Sequence, residues 1–374
     1  MKVKDAISSM VERLQALGDS STLIETFVIG DTFKAAHVNL SYPGLLSVMT
    51  HPLVRLVSEN GVVTIGHESA CHEQKDVIWN LDRINTRAID LVDDNYHYSW
   101  AGEGVDSYVI DTGVQTTHVE FGERAEWGDN FSGDGEDRDC NGHGTHVAGT
   151  IAGELYGVAK RTNIIAVKVL ACSGSGTNAG VIAGVQYTVN QAHSRKRPSV
   201  ANMSLGGGRS TPVNEAVNAA VKEGVAMVVA AGNSRADACS FSPASADLAL
   251  TVASTEIAAV DSSEEQEDKR SSFSNFGACV DIAAPGSLIK AAWIDKEGIA
   301  PNHVYNVISG TSMASPHVAG VAAVLLSAQP ELKPADLAAR LVADANLGMV
   351  DFDCNGNEAC EKTPNVLLHT NTCA

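Results

Sequence analysis

The run Val225-Ala-Met-Val-Val-Ala-Ala231, followed by Gly232-Asn233, decides the fold class of this 374-residue chain. Every residue of the run is apolar, whereas a strand with one face in water alternates apolar and polar side chains. A strand that is apolar throughout is typical of a parallel sheet covered by helices on both faces. Gly232 and Asn233 end the run, and open parallel sheets carry their functional sites at the carboxyl ends of strands.

The same pattern continues on both sides of this run. From about Trp79 onwards, short β-branched runs alternate with helix-length segments at the spacing of βαβ units. The other predicted strands are Ser107–Ile110, Ile164–Leu170, Val200–Ser204, Ala249–Ala253 and Cys279–Ala283. The predicted helices are Gly144–Gly153, Ala179–Ala192, Pro212–Lys222, Ser312–Ser327 and Pro334–Ala345. The sequence therefore predicts an α/β fold with a doubly wound, mainly parallel sheet.

The first seventy residues show a different pattern of apolar and polar residues. This pattern predicts a separate, small α+β domain over 1–70, with the larger domain over 71–374. The segment Ser69–Asp76 is polar and predicts an exposed linker that a protease could cut. The charged run Ser262–Arg270 predicts a second exposed loop. The elements predicted in the small domain are a helix at Asp5–Leu17, strands at Glu25–Ile29, Val54–Val57 and Val62–Ile65, and a helix near Tyr42–Thr50.

Composition excludes several classes of partner. The chain carries 26 Lys and Arg against 45 Asp and Glu, a net charge of −19, which argues against binding nucleic acid or an anionic membrane. Its apolar runs are too short to span a bilayer. Eight cysteines without a CxxC pair favour disulfides formed in an oxidising compartment. The first thirty residues lack the continuous apolar centre of a secretory signal, so they do not reveal the route of export.

Three glycine-punctuated turns each present one reactive side chain. They are Ile110-Asp111-Thr112-Gly113, Asn141-Gly-His143-Gly-Thr-His-Val-Ala-Gly149 and Ser309-Gly-Thr-Ser312-Met-Ala-Ser-Pro-His317. Serine is a poor nucleophile until a base takes its proton, and imidazole suits that task near neutral pH. The imidazole needs a carboxylate to fix its tautomer. Asp111, His143 and Ser312 supply these three roles, and the amide of Asn233 could reach an oxyanion.

These residues stand in motifs that resemble the subtilisin-like serine proteases, within them the proteinase K-like and aqualysin-like group. The order Asp, His, Ser along the chain is the subtilisin order, and the G-x-S-x-G elbow of other serine hydrolases is absent because Ala314 replaces its second glycine. Further matching motifs are Trp79–Ile84, Tyr156–Ala159, Ser204–Gly208 and Ser271–Gly277. The resemblance implies that Ser312 is the nucleophile, His143 the general base and acid, Asp111 its orienting carboxylate, and Asn233 an oxyanion donor.

The resemblance also implies how substrates bind. Two extended edges would hold a protein or peptide substrate as an added strand. A pocket beside them would take an apolar or aromatic side chain with broad specificity. The residues of the edges and the pocket are Gly174, Ser175, Gly176, Ser204, Leu205, Gly206, Ala230 and Gly232.

Family members of this group have two disulfides that correspond to Cys140–Cys172 and Cys239–Cys279. Cys354 and Cys360 are close enough in sequence to pair locally, whereas Cys71 and Cys373 could pair, stay free, or separate on processing. No cofactor is expected for catalysis. The resemblance to proteinase K-like enzymes implies a structural calcium at Asp281 with the backbone carbonyls of Asp247 and Ala249. The EF-hand-like run from Asp351 lacks a glutamate at its twelfth position and predicts a solvated loop. His146 and His317 are interpreted as structural.

The N-terminal region resembles the inhibitory propeptide of these proteases through Phe33–Ala36 and His51–Asn60. Such a propeptide is removed by the protease itself and then blocks the cleft, and the cut is expected between about Gly66 and Lys75. The sequence thus predicts a secreted, monomeric, self-processing endopeptidase. The alternative is a protease scaffold that its own prosegment holds permanently inactive, acting as a binding or regulatory protein.

Overall fold

A computed structural model describes residues 21–29, 33–52, 54, 55, 57, 71–89, 94–259, 266–295, 302–371 and 373. The chain divides into two compact units, one ending at His67 and one beginning at Glu68. This division falls three residues before the boundary expected from the sequence at residue 70.

The first unit contains an antiparallel hairpin and one helix in its described part. Strands β1 (Thr22–Ile29) and β2 (Phe33–Asn39) pair, and helix α1 (Tyr42–Met49) follows. The strand predicted at Glu25–Ile29 and the helix predicted near Tyr42–Thr50 are present. The predicted helix Asp5–Leu17 and strand Val62–Ile65 lie outside the described residues, and the described residues of the range 54–57 are not in a strand.

The second unit carries the strands and helices of the larger predicted domain. Its strands are β3 (His72–Gln74), β4 (Tyr96–Tyr98), β5 (Asp106–Asp111), β6 (Ala125–Asn130), β7 (Asn163–Lys168), β8 (Ser199–Met203), β9 (Gly207–Gly208), β10 (Ala226–Ala230), β11 (Phe241–Ser242), β12 (Leu250–Ala259), β13 (Gln266–Arg270), β14 (Ile282–Pro285), β15 (Ile289–Ala292), β16 (Tyr305–Ile308), β17 (Asn346–Leu347), β18 (Val350–Asp351) and β19 (Val366–Leu367). Its helices are α2 (Trp79–Asn85), α3 (His143–Ala152), α4 (Asn178–Arg195), α5 (Thr211–Lys222), α6 (Thr311–Ala328) and α7 (Pro334–Asp344).

The strands of this unit build a central sheet in the order β17-β19-β14-β12-β10-β8-β5-β7-β6. Neighbours from β14 to β6 run parallel, while β13 joins β12 antiparallel. Consecutive residues of a strand face opposite sides, so Val109 lies in one core cluster and Tyr108 and Ile110 in the other. The α/β fold with a doubly wound, mainly parallel sheet is therefore confirmed.

Helices cover both faces of this sheet. Side chains from α3, α6 and α7 join the core on one face, whereas α4 and α5 join the core on the other. All five residues of β10 are buried, as its unbroken apolar run predicts. By length and apolar composition α6 is the one helix in the described part of the chain that could cross a membrane, and 83% of it is buried inside the protein.

The prediction of an exposed loop over Ser262–Arg270 is wrong for its second half. Residues Gln266–Arg270 form β13, and Asp268 is buried. The Arg83 guanidinium donates to both carboxylate oxygens of Asp268, at 2.8 and 2.6 Å. A run of charges usually indicates a solvated segment, but a buried carboxylate is tolerated when its partner is buried with it. That partner lies 185 residues away in sequence.

Four disulfides join the eight cysteines, and all of them lie in the second unit. The structure pairs Cys140 with Cys172, Cys239 with Cys279 and Cys354 with Cys360. It also pairs Cys71 with Cys373, which the sequence left open. Cys71 directly precedes β3, so the linker expected at Ser69–Asp76 contains a strand that this disulfide and the pairing with β4 tie down.

Candidate active site

The four residues predicted to act in catalysis stand at the ends of elements around one cleft. Asp111 is the last residue of β5, and Asn233 follows β10. His143 is the first residue of α3 and Ser312 the second residue of α6. The carboxyl ends of parallel strands and the amino ends of the following helices meet at the same edge of an open sheet, so the topology brings these side chains together.

The Asp111 carboxylate is fully buried and meets the imidazole of His143 directly. Its Oδ1 lies 2.7 Å from Nδ1 of His143 and also accepts a hydrogen bond from the backbone nitrogen of Thr112 at 2.8 Å. Burial by itself lowers the pKa of His143, but the charge and hydrogen bond of Asp111, together with the charge of Asp139, outweigh it, so the pKa is raised. Because Nδ1 is hydrogen-bonded to Asp111, Nε2 is the ring nitrogen that can accept a proton.

Gly142 permits the sharp turn that places His143. Its φ of 104° is left-handed, and a Cβ there would lie 2.5 Å from the ring of Trp293. Asn141 supports the same turn, since its Oδ1 accepts from the backbone nitrogen of His143 and its Nδ2 donates to the carbonyl of Cys172. Glycine at 142 is thus required both by conformation and by space.

The Ser312 hydroxyl donates to the backbone carbonyl of Ser204 at 3.2 Å. The hydroxyl proton must therefore turn about the Cβ–Oγ bond before Oγ can give it to an imidazole, and catalytic hydrogen bonds are often unformed before substrate binds. The Ser204 side chain is buried beneath this turn, where its Oγ donates to the carbonyl of Ser312 at 2.7 Å. The side chain of Ser204 thus supports the nucleophile, and only its backbone faces the cleft.

Two hydrogen-bond donors converge beside Ser312. The Oδ1 of Asn233 accepts from the backbone nitrogen and the hydroxyl of Thr311, both at 2.9 Å, which turns Nδ2 the other way. Asn233 Nδ2 and the backbone nitrogen of Ser312 each lie 3.6 Å from the position that a Cβ on Gly310 would take. Free donors aimed at one volume suit a site where negative charge develops.

The cleft has a volume of about 650 Å³, and all eight residues predicted to bind substrate line it. Additional apolar wall residues, which the sequence did not single out, are Leu170, Val181, Val213, Phe241 and Ala244. No acidic or basic side chain other than the imidazole of His143 is among the described residues that line it. Apart from His143, the described wall of the cleft is thus uncharged and partly apolar.

Sequence reasoning missed three polar side chains that support the catalytic groups: Thr112, Asp139 and Lys168. Asp139 precedes the first turn of α3 and accepts from the backbone nitrogens of Asn141, Gly142 and Thr145. Aspartate just before a helix is a capping signal that could have identified it. Lys168 is a fully buried lysine in an apolar strand, which is itself unusual.

His146 and His317 are buried as structural side chains. Nε2 of His146 lies 3.0 Å from the carbonyl of Ile289, and the ring of His317 lies between Asn80 and the carbonyl of Met313, at 2.8 Å from each. Burial lowers the pKa of each to about 4. These two histidines of the catalytic motifs are therefore neutral, and hydrogen bonds to backbone carbonyls and a side-chain amide hold their rings in place.

The residues expected to bind calcium lie at the opposite edge of the sheet from the catalytic residues. Asp281 precedes β14, and Ala249 precedes β12. The Asp281 carboxylate accepts from the backbone nitrogen of Thr251 at 2.7 Å, and burial raises its pKa to about 6. A half-buried carboxylate that is held by a backbone nitrogen fits a hard cation, because such a cation prefers oxygen ligands.

Comparison with known proteins places these features in a family. The model of the Subtilase family matches residues 102–363. The chain is 48% identical over 314 residues to "Alkaline serine exoprotease A" of Vibrio alginolyticus, covering 83% of this chain and 55% of that protein. It is 43% identical over 368 residues to "Subtilisin-like serine protease pepC" of Aspergillus niger, covering 90% and 64%. The chain therefore spans somewhat more than half the length of these two relatives.

Solved structures give the same result. A cold adapted subtilisin-like serine proteinase is 49% identical, with a TM-score of 0.69, and the match covers 79% of this chain and 99% of that one. The protein titled "Sphericase" is 30% identical, with a TM-score of 0.62, over 72% of this chain and 90% of that one. The matched residues include Asp111, His143, Asn233 and Ser312, and the chain belongs to the subtilase family.

Proposed function

We propose that this chain is a serine endopeptidase that hydrolyses peptide bonds through an acyl-enzyme at Ser312. The observation that carries the proposal is the 2.7 Å contact between Asp111 and His143 at the edge of the cleft where Ser312 and two converging donors lie. A carboxylate, an imidazole and a hydroxyl with an adjacent oxyanion site are the parts that acyl transfer requires.

Each group has one task in this mechanism. Nε2 of His143 takes the proton of Ser312 as Oγ attacks the carbonyl carbon, and the ionised Asp111 stabilises the resulting imidazolium. The oxyanion accepts from Asn233 Nδ2 and the backbone nitrogen of Ser312. The imidazolium then gives its proton to the leaving amine, and water, deprotonated by the same imidazole, hydrolyses the acyl-enzyme.

The substrates are extended protein segments with an apolar or aromatic side chain before the scissile bond. Gly206 and Gly232 leave the cleft open, and the described wall residues offer no carboxylate to select lysine or arginine. The backbones of Gly174–Gly176 and Ser204–Gly206 would pair with the substrate as an added strand. Sharp dibasic cleavage of a peptide library would contradict this specificity.

The protein is made as a precursor, acts outside the cell as a monomer, and uses the first unit as its own propeptide and inhibitor. The division of the chain at His67 supports this, because it falls inside the stretch where the cut is expected. Four disulfides support an oxidising compartment, and one relative is named an exoprotease.

Intact-mass analysis of the purified protein, beside Ser312→Ala, tests activity and processing together. Loss of about seventy N-terminal residues in the wild type alone supports a working nucleophile and self-cleavage. Equal cleavage of both proteins would contradict self-processing. If both stay whole and the wild type hydrolyses no peptide, the alternative of a permanently latched scaffold is supported instead.

Calcium is proposed as a structural ion held by Asp281 and the carbonyls of Asp247 and Ala249. In the Ser312→Ala background, calcium should raise the melting temperature more at pH 8 than at pH 5, because the Asp281 carboxyl with its pKa of about 6 is protonated at the lower pH. Asp281→Asn should abolish the difference, while Asp247→Asn, which keeps the backbone carbonyl, should not. An equal calcium effect in wild type and Asp281→Asn would remove this site.

A further inference from the structure

We infer that Thr112 is a positioning residue whose hydroxyl fixes the carboxyl end of β5 against the first turn of α3, so that Asp111 and His143 meet in register. The inference rests on the proposed peptidase activity. Thr112 borders the cleft, but its hydroxyl bonds to Gly144 and Asp139 and not to the reacting atoms.

Thr112 is fully buried, and each of its polar atoms is used. Its nitrogen donates to Asp111 Oδ1 at 2.8 Å. Its Oγ1 accepts from the nitrogen of Gly144 at 2.9 Å and donates to Asp139 Oδ1 at 3.0 Å. Its carbonyl accepts from Lys168 Nζ at 3.0 Å. One residue therefore joins the strand with the carboxylate, the helix with the imidazole, and the loop between them.

The hydroxyl of Thr112 has one orientation available. Because Oγ1 receives the Gly144 N–H, its own proton must point at Asp139. The Asp139 carboxylate is itself fixed, since it accepts from three backbone nitrogens and from the hydroxyl of Thr145 at 2.6 Å. All the groups around it are donors, which fits the ionised form although burial raises its pKa. A polarised, fixed hydrogen bond of this kind positions a helix more precisely than apolar packing does.

The Thr112–Gly144 hydrogen bond lies directly beside His143 at this junction, whereas the hydrogen bond from the Gln115 nitrogen to Thr145 Oγ1 ends one residue further along α3. A Cβ on Gly144 would lie 2.1 Å from the carbonyl oxygen of Gly113. The helix and the turn are thus in backbone contact beside His143. Loss of the hydroxyl would leave the Gly144 N–H and one acceptor position of Asp139 unsatisfied, and relief of that penalty would shift the helix.

The charged and titratable groups around His143 come from three sides. Asp111 on β5 bonds to the ring, Asp139 precedes α3, and His146 lies one turn further along α3. Lys168 on β7 approaches through Thr112 and is paired with Asp134 at 3.2 Å. A change at Thr112 alters none of these charges, so a shift in the titration of His143 reports the geometry of the Asp111–His143 contact.

The test compares Thr112→Val with Thr112→Ser, and Thr145→Val serves as a matched control. The valine at 112 keeps the shape and removes the hydroxyl, while serine restores it. Thr145→Val removes the other hydroxyl that donates to Asp139, together with the acceptor of the Gln115 backbone nitrogen, but leaves the Thr112–Gly144 contact intact. We expect Thr112→Val to lower kcat about tenfold with little change in KM, and to move the acid limb of kcat/KM about 0.5 pH unit lower. Thr112→Ser and Thr145→Val should keep the wild-type limb.

A second readout needs no catalysis. In the Ser312→Ala background, the low-field proton NMR signal of the Asp111–His143 hydrogen bond should titrate at lower pH in Thr112→Val, or in Thr112→Ala if the valine variant does not fold. An unchanged titration in the variant, or an equal shift in Thr145→Val, would overturn the inference. Absence of peptidase activity in the wild type would refute the proposed function while this titration still tests Thr112.

Discussion

His143 carries the pH dependence of the proposed reaction. Burial lowers its pKa, but Asp111 and Asp139 raise it above 6.5 on balance. The base must be neutral to accept a proton, so kcat/KM should rise with pH through a midpoint above 6.5. The same pairing stabilises the fold below pH 6.5, and this contribution is lost as pH rises through the folded-state pKa. A pH profile with a small peptide substrate checks this, and a midpoint at or below 6.5 would contradict it.

His146 and His317 should limit stability in acid. The pKa of each is lowered to about 4 in the folded protein, below the unfolded value near 6.5. Their contribution is present above pH 6.5 and is lost as pH falls towards 4, by up to about 3 kcal/mol each. Urea unfolding of Ser312→Ala between pH 7 and 4.5 measures the loss. The same series in His317→Gln should be flatter, and parallel curves would count against a buried neutral His317.

Single residues were predictable where one side chain sits in its own local motif. Asp111, His143 and Ser312 each follow or open an element whose periodicity is readable, and glycines mark the turns. Thr112 was not, because its hydroxyl acts through a contact between the turn after β5 and the first turn of α3. Such a contact depends on the packed structure, and no spacing along the chain encodes it.

At the scale of elements, α6 packs against the turn before β7 through a glycine. A Cβ on Gly320 would lie 2.6 Å from Cβ of Val158, and Val158 is fully buried. Gly320→Ala should therefore destabilise the protein by about 1–3 kcal/mol through overpacking, although alanine is the better helix former. Thermal unfolding of Ser312→Ala proteins measures this.

The control for Gly320→Ala restores the space on the other side of the contact. Val158→Gly, which removes the Cβ that the new methyl would meet, should destabilise the protein on its own by leaving a void, but in combination with Gly320→Ala it should recover part of the loss. Strictly additive losses in the double variant would mean that the two residues do not share the contact.

Element prediction succeeded where burial is uniform and failed where it is mixed. The six predicted strands of the sheet and the five helices that cover it were found within a few residues, because both faces of the sheet are covered. β13 was missed because its charged residues suggested an exposed segment, whereas Asp268 within it is buried and paired with Arg83. β12 also runs to Ala259, beyond the predicted end, because β13 pairs with its last residues.

At the scale of the whole molecule, the disulfide between Cys71 and Cys373 should contribute more to the free energy of unfolding than any other single disulfide. It closes a loop with a sequence separation of 302, against 6 for Cys354–Cys360. In the chain-entropy model the longer loop contributes about 6 kcal/mol and the shorter about 2 kcal/mol. Replacing each pair by serines in Ser312→Ala and measuring denaturant unfolding compares them. A larger loss at Cys354–Cys360 would contradict the entropic account.

The same disulfide also determines what becomes of a molecule whose backbone is cut once. With Cys71 bonded to Cys373, the backbone from one to the other is topologically a closed ring. A single nick anywhere inside it produces an opened ring whose fragments remain covalently joined, in effect a permuted chain. Such a nicked molecule keeps its full mass on a non-reducing gel and separates into two pieces only after reduction. Under the proposed activity, in which every copy is also a substrate for the others, the protein can be cut once without losing half of its sheet.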